Sequence, residues 1–261
     1  MAQKPSVWRL IPWLKASGQV QMAIDRWLLQ QQIQGSSMPT LRFYTWYPPT
    51  ISLGYHQRYW DRAWNDILYE GIPLDSVRRP TGGRAVLHQG DLTYAVAVPN
   101  MEGKTMEIYQ HLCEFLIAGW RSLGVSLEYG QAGRNYIRND NCFATSTGAD
   151  LVLENGAKFI GSAQVRKETS VLQHGSMLLN PDKELFAEVF GQDAVASLPD
   201  WKFIVSRAES LKSKSFENAI AIVIDTLTSA AARSFGVELV TQPLSESEWV
   251  EIFQWQTQFD R

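Results

Sequence analysis

Residues 77–99 read VRRPTGGRAVLHQGDLTYAVAVP, and this stretch combines three arginines, a Gly-Gly pair and an alternating apolar run. The Gly82–Gly83 pair lacks Cβ atoms, so the backbone there can take positive φ angles and approach a ligand closely. Consecutive backbone N–H groups in such a turn can form an anion site, and Arg78, Arg79 and Arg84 attract a negatively charged group. The alternative is a hairpin turn with solvated arginines, and the loop alone leaves both interpretations open.

The segments before and after this loop predict strands and helices in mixed order. Apolar alternation is typical of half-buried strands, and apolar residues at helical spacing are typical of amphipathic helices. The predicted strands of the first half are Val7–Leu14, Leu41–Trp46, Thr50–Gly54, Leu74–Arg79, Leu92–Val98 and Val125–Tyr129, and the predicted helices are Gln19–Ile33, Trp60–Gly71 and Thr105–Leu123.

The second half opens with a hairpin, because the turn Glu154-Asn155-Gly156 lies between two apolar runs. Its predicted strands are Asp150–Leu153, Ala157–Gly161, Ser162–Arg166 and Val171–Leu179, and its predicted helices are Lys183–Phe190, Phe216–Phe235 and Glu246 to about Phe253. The segment Trp201–Ser210 stays unassigned. The predicted fold class is α+β, a central mixed, mainly antiparallel sheet flanked by helices. We predict one domain over residues 1–261, with a helical part from about residue 181.

Composition narrows the function classes. The chain has 261 residues, 45% apolar and 20% charged, and a net charge of −3. This balance predicts no nucleic-acid partner, since such proteins carry a strong basic footprint. No apolar run is long enough for a membrane span or a signal peptide. We therefore predict a cytoplasmic enzyme or binding protein without a membrane partner.

Two further residues can carry chemistry. Lys158, on the second strand of the hairpin before a predicted Gly-Ser turn, can point its ammonium into a cleft and stabilise a developing oxyanion. The alternative is a solvent-facing strand lysine. Cys142 follows a polar loop where a substrate can reach a thiolate, and the alternative is a half-buried structural cysteine. Cys113 falls within a predicted helix and is expected in the core.

The histidines and acids are less specific. His88 and His174 are candidate bases, although a structural role is at least as common for a histidine. Asp25 sits in the first predicted helix, where a solvated face is an equal alternative. The four histidines lack metal-ligand spacing, so we predict no metal site.

Three blocks resemble the lipoate–protein ligase and octanoyltransferase family. They are RRPTGGRAVLHQGDLTYAV in the loop stretch, RFYTWYPPTISLGYHQ at residues 42–57, and GAKFIGSAQVRKETSVLQHGSMLL at residues 156–179. The blocks occur in family order. The resemblance covers roughly Val7 to Leu179 and implies a fold related to biotin–protein ligases.

The resemblance also implies a reaction, in which an octanoyl or lipoyl group is moved to a lysine of a carrier domain. The Gly loop then lines the acyl tunnel, and Lys158 binds the region of the acyl carbonyl. The substrate-binding residues that we predict with it are Arg78, Arg79, Gly82, Gly83, Arg84, His88, Gly161, Ser162 and Ala163.

Within the family, three features favour a transferase over an ATP-dependent ligase. Arg84 stands where ligases commonly have a third glycine, and Cys142 stands where octanoyltransferases carry their nucleophile. The chain also ends without the additional C-terminal domain of many ligases. On this basis we predict that Cys142 attacks the octanoyl thioester of acyl carrier protein while Lys158 holds the carbonyl.

The acceptor is then a lipoyl domain or glycine cleavage H protein. A thioester is already activated, so this reaction requires no cofactor. Arg78 and Arg79 are predicted to meet the acidic carrier protein or its phosphopantetheine.

Three alternatives stay open, and one of them is transfer between carrier domains rather than from acyl carrier protein. Gln89 replaces an acidic residue that the family often has after the loop histidine, and the segment FATSTGADL after Cys142 is similar to the Asn-Asp segment of ligases. A lipoate–protein ligase would use ATP and Mg. A non-catalytic lipoyl- or biotin-binding protein is the alternative of another class.

Overall fold

A computed structural model describes residues 6–130, 150–212 and 214–259, with side-chain burial given up to residue 254. Its strands are β1 Ser6–Ala16, β2 Thr40–Trp46, β3 Thr50–Leu53, β4 Leu68–Tyr69, β5 Ile72–Pro73, β6 Asp75–Arg78, β7 Val86–His88, β8 Asp91–Val98, β9 Leu127–Tyr129, β10 Leu151–Leu153, β11 Lys158–Lys167, β12 Ser170–Leu178 and β13 Val237–Thr241.

The helices of the same part of the chain are α1 Gly18–Gln34, α2 Thr105–His111, α3 Glu114–Ser122, α4 Lys183–Phe190, α5 Gln192–Val195, α6 Trp201–Arg207, α7 Phe216–Phe235 and α8 Glu246–Phe259. Two short 3₁₀ helices span Arg62–Asp66 and Glu209–Leu211.

A mixed sheet forms the centre, with strand order β13-β1-β2-β8-β12-β11-β10-β9. Strand β1 pairs parallel with β13 and β2, and every later pairing from β2 to β9 is antiparallel. A second sheet, β6-β3-β7, and the hairpin β4-β5 flank it. The predicted α+β class with a mainly antiparallel mixed sheet is confirmed.

The central sheet is covered on both faces, so its middle strands are buried along their whole length. Helices α3 and α7 cover one face through a cluster that includes Phe115, Trp120 and Leu227. Helix α1, with Met22 and Trp27, covers the other face together with Ile252 of α8. A third cluster joins the small sheet to α4.

Polar caps fix the ends of the helices that flank the sheet. Ser17 caps α1 by accepting from the Val20 N–H, and Gly35 ends the helix in the left-handed conformation. Ser215 and Gly236 do the same for α7. These serine and glycine signals, combined with helical periodicity, are why the predictions for both helices are confirmed within a few residues.

Several local predictions need correction. The segment predicted as a helix over Trp60–Gly71 contains only the 3₁₀ turn Arg62–Asp66 before β4, because β4 pairs with β5 in a hairpin whose turn residues Glu70 and Gly71 have positive φ. The predicted helix Thr105–Leu123 is split at residues 112–113 into α2 and α3. Gly161 and Ser162 continue β11 without a turn, since both pair with β12.

The part of the chain after residue 181 is not wholly helical. Val237–Thr241 forms β13, which pairs parallel with β1 at the edge of the sheet, and Trp201–Arg207 forms α6. Arg9 of β1 fastens α8 through two hydrogen bonds to the Glu248 carboxylate, at 2.6 and 2.8 Å. The prediction of one catalytic domain over residues 1–261 stays a prediction, and these C-terminal contacts are consistent with it.

Candidate active site

A pocket lies on the α1 face of the central sheet, between that sheet and the strands of the small sheet. Its walls come from β2, β8, β12 and β11, with Met22 of α1 above them. Most of the lining is buried. The lining residues that are more than marginally exposed are Gly82, Gly83, Gly161, Ser162 and Ala163, so the entrance of the described part lies between the Gly loop and β11.

Lys158 lines this pocket and is almost fully buried. Its Nζ lies 2.9 Å from Asp150 Oδ1, and the two side chains are 4% and 5% exposed. Because a buried ammonium is tolerated only when paired, the Asp150 carboxylate compensates the charge and orients it. The hairpin places the two together, since β10 begins one residue after Asp150 and β11 begins at Lys158. A solvent-facing Lys158 is excluded.

The Gly loop packs so tightly that two of its contacts require glycine. A Cβ on Gly54 would lie 1.8 Å from the Gly83 carbonyl oxygen, and Gly83 has a φ of 98°. A Cβ on Gly83 would lie 2.7 Å from Arg79 Nη2. The loop therefore keeps its form through backbone contacts. The pair Gly82–Gly83 lies at the pocket rim, and its contact with a substrate stays a prediction.

Arg79 holds this loop from inside. Its guanidinium donates to the Ser52 carbonyl at 2.7 Å, the Gly82 carbonyl at 2.8 Å and the Arg84 carbonyl at 2.7 Å, and the residue is 5% exposed. A side chain this buried is not exposed for contact with a docking protein. Burial speaks against contact between Arg79 and the body of a carrier protein, but Arg79 lines the pocket, so its predicted contact with the carrier or its phosphopantetheine stays a prediction.

Arg78 and Arg84 lie outside the lining of the pocket. Arg78 is half-buried and donates to the Gly54 carbonyl at 2.8 Å and the Gln57 carbonyl at 2.7 Å. It thus supports the loop that follows β3. Direct substrate binding by Arg78 and Arg84 stays a prediction without a pocket contact to support it.

His88 stacks on Trp46, with ring centroids 3.9 Å apart, and lines the pocket. Its Nδ1 is 2.9 Å from Asp91 Oδ2 and its Nε2 is 2.8 Å from Ser52 Oγ. Burial lowers the pKa of His88, and the attraction of Asp91 only partly offsets this. The imidazole is therefore neutral at pH 7, with its hydrogen on Nδ1 toward the carboxylate and Nε2 accepting from the serine.

His174 lies at the centre of a second buried chain of hydrogen bonds. Its Nδ1 lies 2.6 Å from Asp25 Oδ2, and its Nε2 lies 2.7 Å from Thr81 Oγ1 of the Gly loop. Asp25 also accepts from Arg42 Nε at 2.9 Å and the Tyr44 hydroxyl at 2.9 Å.

Burial alone would raise the pKa of Asp25, but the Arg42 charge and the hydrogen bonds from His174 and Tyr44 outweigh it, and the pKa is lowered. The solvated helix face considered for Asp25 is excluded, because the residue is 0% exposed. With both ring nitrogens of each histidine engaged, the base role of His88 and His174 stays a prediction.

The structure tests the prediction for one of the two cysteines. Cys113 is fully buried, and burial raises the pKa of its thiol to about 12, so it is an inert core residue as predicted. Cys142 lies outside the described residues, between Gly130 and Asp150. Its role as nucleophile stays a prediction.

The sequence did not predict the acidic partners of Lys158 and His88. Asp150 adjoins the ADLVL run, but nothing in its spacing marks it as the partner of Lys158. Asp91 accepts from Thr93 and Ser176 as well as His88, and the sequence predicts no role for it. An acid at the start of a buried strand, three residues after a histidine, is the available signal.

The described ranges hold no group of three or more histidine, cysteine or acidic residues arranged to bind a metal ion. Nor does any helix within them have the length and apolarity needed to cross a bilayer.

Comparison with known proteins gives four findings. The family model of the lipoyl protein ligase A/B catalytic domain matches residues 17–232. A protein named Octanoyltransferase LipM from Geobacillus kaustophilus is 33% identical over 93% of this chain and 97% of its own. Its namesake from Kyrpidia tusciae is 40% identical over 69% of each chain. The crystal structure of lipoate-protein ligase A bound with ATP superposes with a TM-score of 0.71 at 20% identity, over 98% of this chain and 95% of that one.

Proposed function

This chain belongs to the lipoyl protein ligase A/B catalytic domain family and is an octanoyltransferase, and we propose that it works through an acyl-enzyme on Cys142. The observation that carries the proposal is the buried Lys158 ammonium, held by Asp150 in a pocket whose rim is the Gly loop. Such an ammonium is placed where negative charge develops on an acyl carbonyl oxygen.

The reaction then has two steps that share one site. The Cys142 thiolate attacks the octanoyl carbonyl of acyl carrier protein, forming a new thioester and releasing the carrier's thiol once it takes a proton. The amine of the acceptor lysine next attacks the acyl-enzyme, forming the amide and releasing the Cys142 thiol. Lys158 stabilises the oxyanion of both tetrahedral intermediates.

The partners follow from this chemistry. The acceptor is a lipoyl-domain protein, and we propose glycine cleavage H protein as one such acceptor and octanoyl-acyl carrier protein as the donor. The donor thioester is already activated, so the reaction needs neither ATP nor Mg. The predicted cytoplasmic location stays a prediction.

We propose that the predicted substrate-binding residues divide by position. Gly82, Gly83 and the run Gly161–Ala163 line the entrance, where the acyl group passes. His88 lies deeper, against Trp46, and contacts the chain farther from the carbonyl. The pocket is long enough for an octanoyl chain, because it crosses four neighbouring strands, or about 14 Å at the usual spacing of strands.

The test is transfer to an apo lipoyl domain from octanoyl-acyl carrier protein without ATP. Mass spectrometry of the enzyme mixed with donor alone should find one octanoyl adduct on Cys142. Cys142→Ala should abolish adduct and transfer, whereas Cys113→Ser, which keeps a hydrogen-bonding group beside Gln173 and Tyr94 in the core, should keep both. Transfer that requires ATP and survives Cys142→Ala would establish the ligase alternative, and ligand binding without an adduct would favour the binding protein.

A further inference from the structure

An exposed cluster lies beside the Gly loop, outside the pocket. It consists of Tyr55, Arg58, Tyr59, Trp60, Arg62 and Arg78, and we name it the arginine–aromatic patch. Tyr59 is 88% exposed and Tyr55 is 59% exposed. Exposed tyrosines of this extent, next to exposed arginines, are a composition typical of protein interfaces.

The patch is held in place rather than free to collapse. Trp60 packs partly against the cluster of the small sheet. The Arg62 guanidinium lies 4.4 Å from the centre of the Trp60 ring, and that of Arg78 lies 5.7 Å from it. Because Arg78 also donates to the carbonyls of Gly54 and Gln57, the loop carrying the aromatic residues is fastened to β6. A preorganised surface loses little entropy when a partner binds.

The patch adjoins the entrance of the pocket. The Tyr55 N–H donates to the Thr81 carbonyl at 2.8 Å, and Gly54 packs directly on the Gly83 carbonyl. Gly83 is itself an exposed residue of the pocket rim. A protein seated on the patch therefore lies next to the opening through which an acyl group enters.

The local charge is opposite to that of the whole chain. The chain has a net charge of −3, yet the patch carries three arginines, and Arg26 donates to the backbone carbonyl of Arg78 beside them. The exposed Asp61, whose carboxylate accepts from the Ala63 N–H at 2.9 Å, adds one negative charge, so the three arginines still leave the patch positive. A basic patch on an acidic protein selects an acidic surface by steering and by charge complementarity.

We propose that the arginine–aromatic patch is the docking surface for the acidic carrier protein that delivers the acyl group. The inference rests on the proposed function, because that function requires a protein-bound thioester to be brought to this entrance. Arg58 and Arg62 meet acidic side chains of the carrier, and Tyr55 and Tyr59 supply apolar contact.

The test compares a protein donor with a small one. Binding of octanoyl-acyl carrier protein is measured directly by calorimetry, and turnover is measured with octanoyl-acyl carrier protein and with octanoyl-pantetheine. The variant is Arg58→Glu/Arg62→Glu. The matched control is Lys202→Glu/Lys214→Glu, which changes the net charge equally at two exposed residues near the α7 face of the sheet.

We expect the patch variant to weaken carrier binding and raise the KM for octanoyl-acyl carrier protein by at least about tenfold, and more at low salt. Turnover of octanoyl-pantetheine should stay within about twofold of wild type, and the control should match wild type with both donors.

Unchanged carrier binding in the patch variant would overturn the proposal. So would an equal loss with octanoyl-pantetheine, since that places the effect in the pocket. If wild type binds the carrier through the patch but transfers octanoyl from neither donor, the proposed function fails while the docking surface stands.

Discussion

Lys158 Nζ lies 2.9 Å from Asp150 Oδ1, and this pair is buried in the wall of the pocket. The two residues stand on opposite sides of a hairpin turn, so the sheet register brings them together. A carboxylate here holds the ammonium in one position and compensates its charge before any substrate arrives. Loss of either partner therefore affects both folding and reaction.

Asp150→Asn and Lys158→Met should each lower the free energy of unfolding by about 3–5 kcal/mol, because each leaves an uncompensated buried group. The double variant should cost clearly less than the sum of the two. Urea denaturation of all four proteins measures this coupling. Strictly additive losses would mean that the ion pair contributes nothing to stability.

The Asp25 network predicts a pH dependence of stability. The pKa of Asp25 is lowered in the folded state from the ordinary 3.8. The stabilising effect of the Asp25 carboxylate is therefore fully present above that value and is lost as pH falls through the folded pKa. Asp25→Asn should therefore be much less stable than wild type at pH 7, and the difference should shrink below about pH 4. Chemical denaturation between pH 3 and pH 7, with Asp225→Asn at an exposed helix position as control, measures the difference. If the difference in unfolding free energy between Asp25→Asn and wild type stayed constant across this pH range, the network would be contradicted.

Thr81 is predicted to fasten the Gly loop through His174. Thr81→Val keeps the shape of the side chain but removes the hydroxyl that lies 2.7 Å from the imidazole Nε2, at a cost of about 1–3 kcal/mol. We expect faster hydrogen exchange at residues 79–84 and a higher KM for the octanoyl donor. Thr81→Ser keeps the hydroxyl and should behave as wild type. Equal KM values for the two variants would show that the hydrogen bond does not position the loop.

Two neighbouring glycines offer a matched test of backbone strain. Gly83 has a φ of 98° and no room for a Cβ beside Arg79, whereas a Cβ on Gly82 would have no neighbour within 4 Å. Gly83→Ala should lose about 1–3 kcal/mol of stability and most of the activity, and Gly82→Ala should lose little stability. Thermal unfolding and the transfer assay measure both. Similar losses for the two would mean that the strain is shared by the whole turn.

The two thiols should differ sharply in reactivity. Burial raises the pKa of Cys113 to about 12, so iodoacetamide at pH 8 should leave it unmodified in the native protein and label it only in denaturant. The proposed nucleophile Cys142 should react natively, and prior incubation with octanoyl donor should protect it. Peptide mapping by mass spectrometry distinguishes the two sites. Native labelling of Cys113 would contradict its burial.

Local signals account for what was predictable of the site. The glycine pair predicted a close backbone approach, and Gly82 and Gly83 do form the pocket rim. The Asn155–Gly156 turn predicted the hairpin that carries Lys158, and the Gly156 N–H bonds back to the Leu153 carbonyl at 2.8 Å. In contrast, the direction in which an arginine points is not local. Arg79 turned inward because backbone carbonyls of the folded loop satisfy its guanidinium.

By itself the sequence determined the alternation of strands and helices, the α+β class, the Gly loop and the family, since periodicity, caps and turn residues act over a few neighbouring positions. Which acid meets which basic side chain follows from the tertiary structure. Asp25 reaches His174 across 149 positions of the chain, and β13 joins β1 from the far end. Such contacts depend on how strands are ordered in the sheet. The amino-acid sequence does not show that order directly, because burial and charge compensation act between residues that are distant in the sequence.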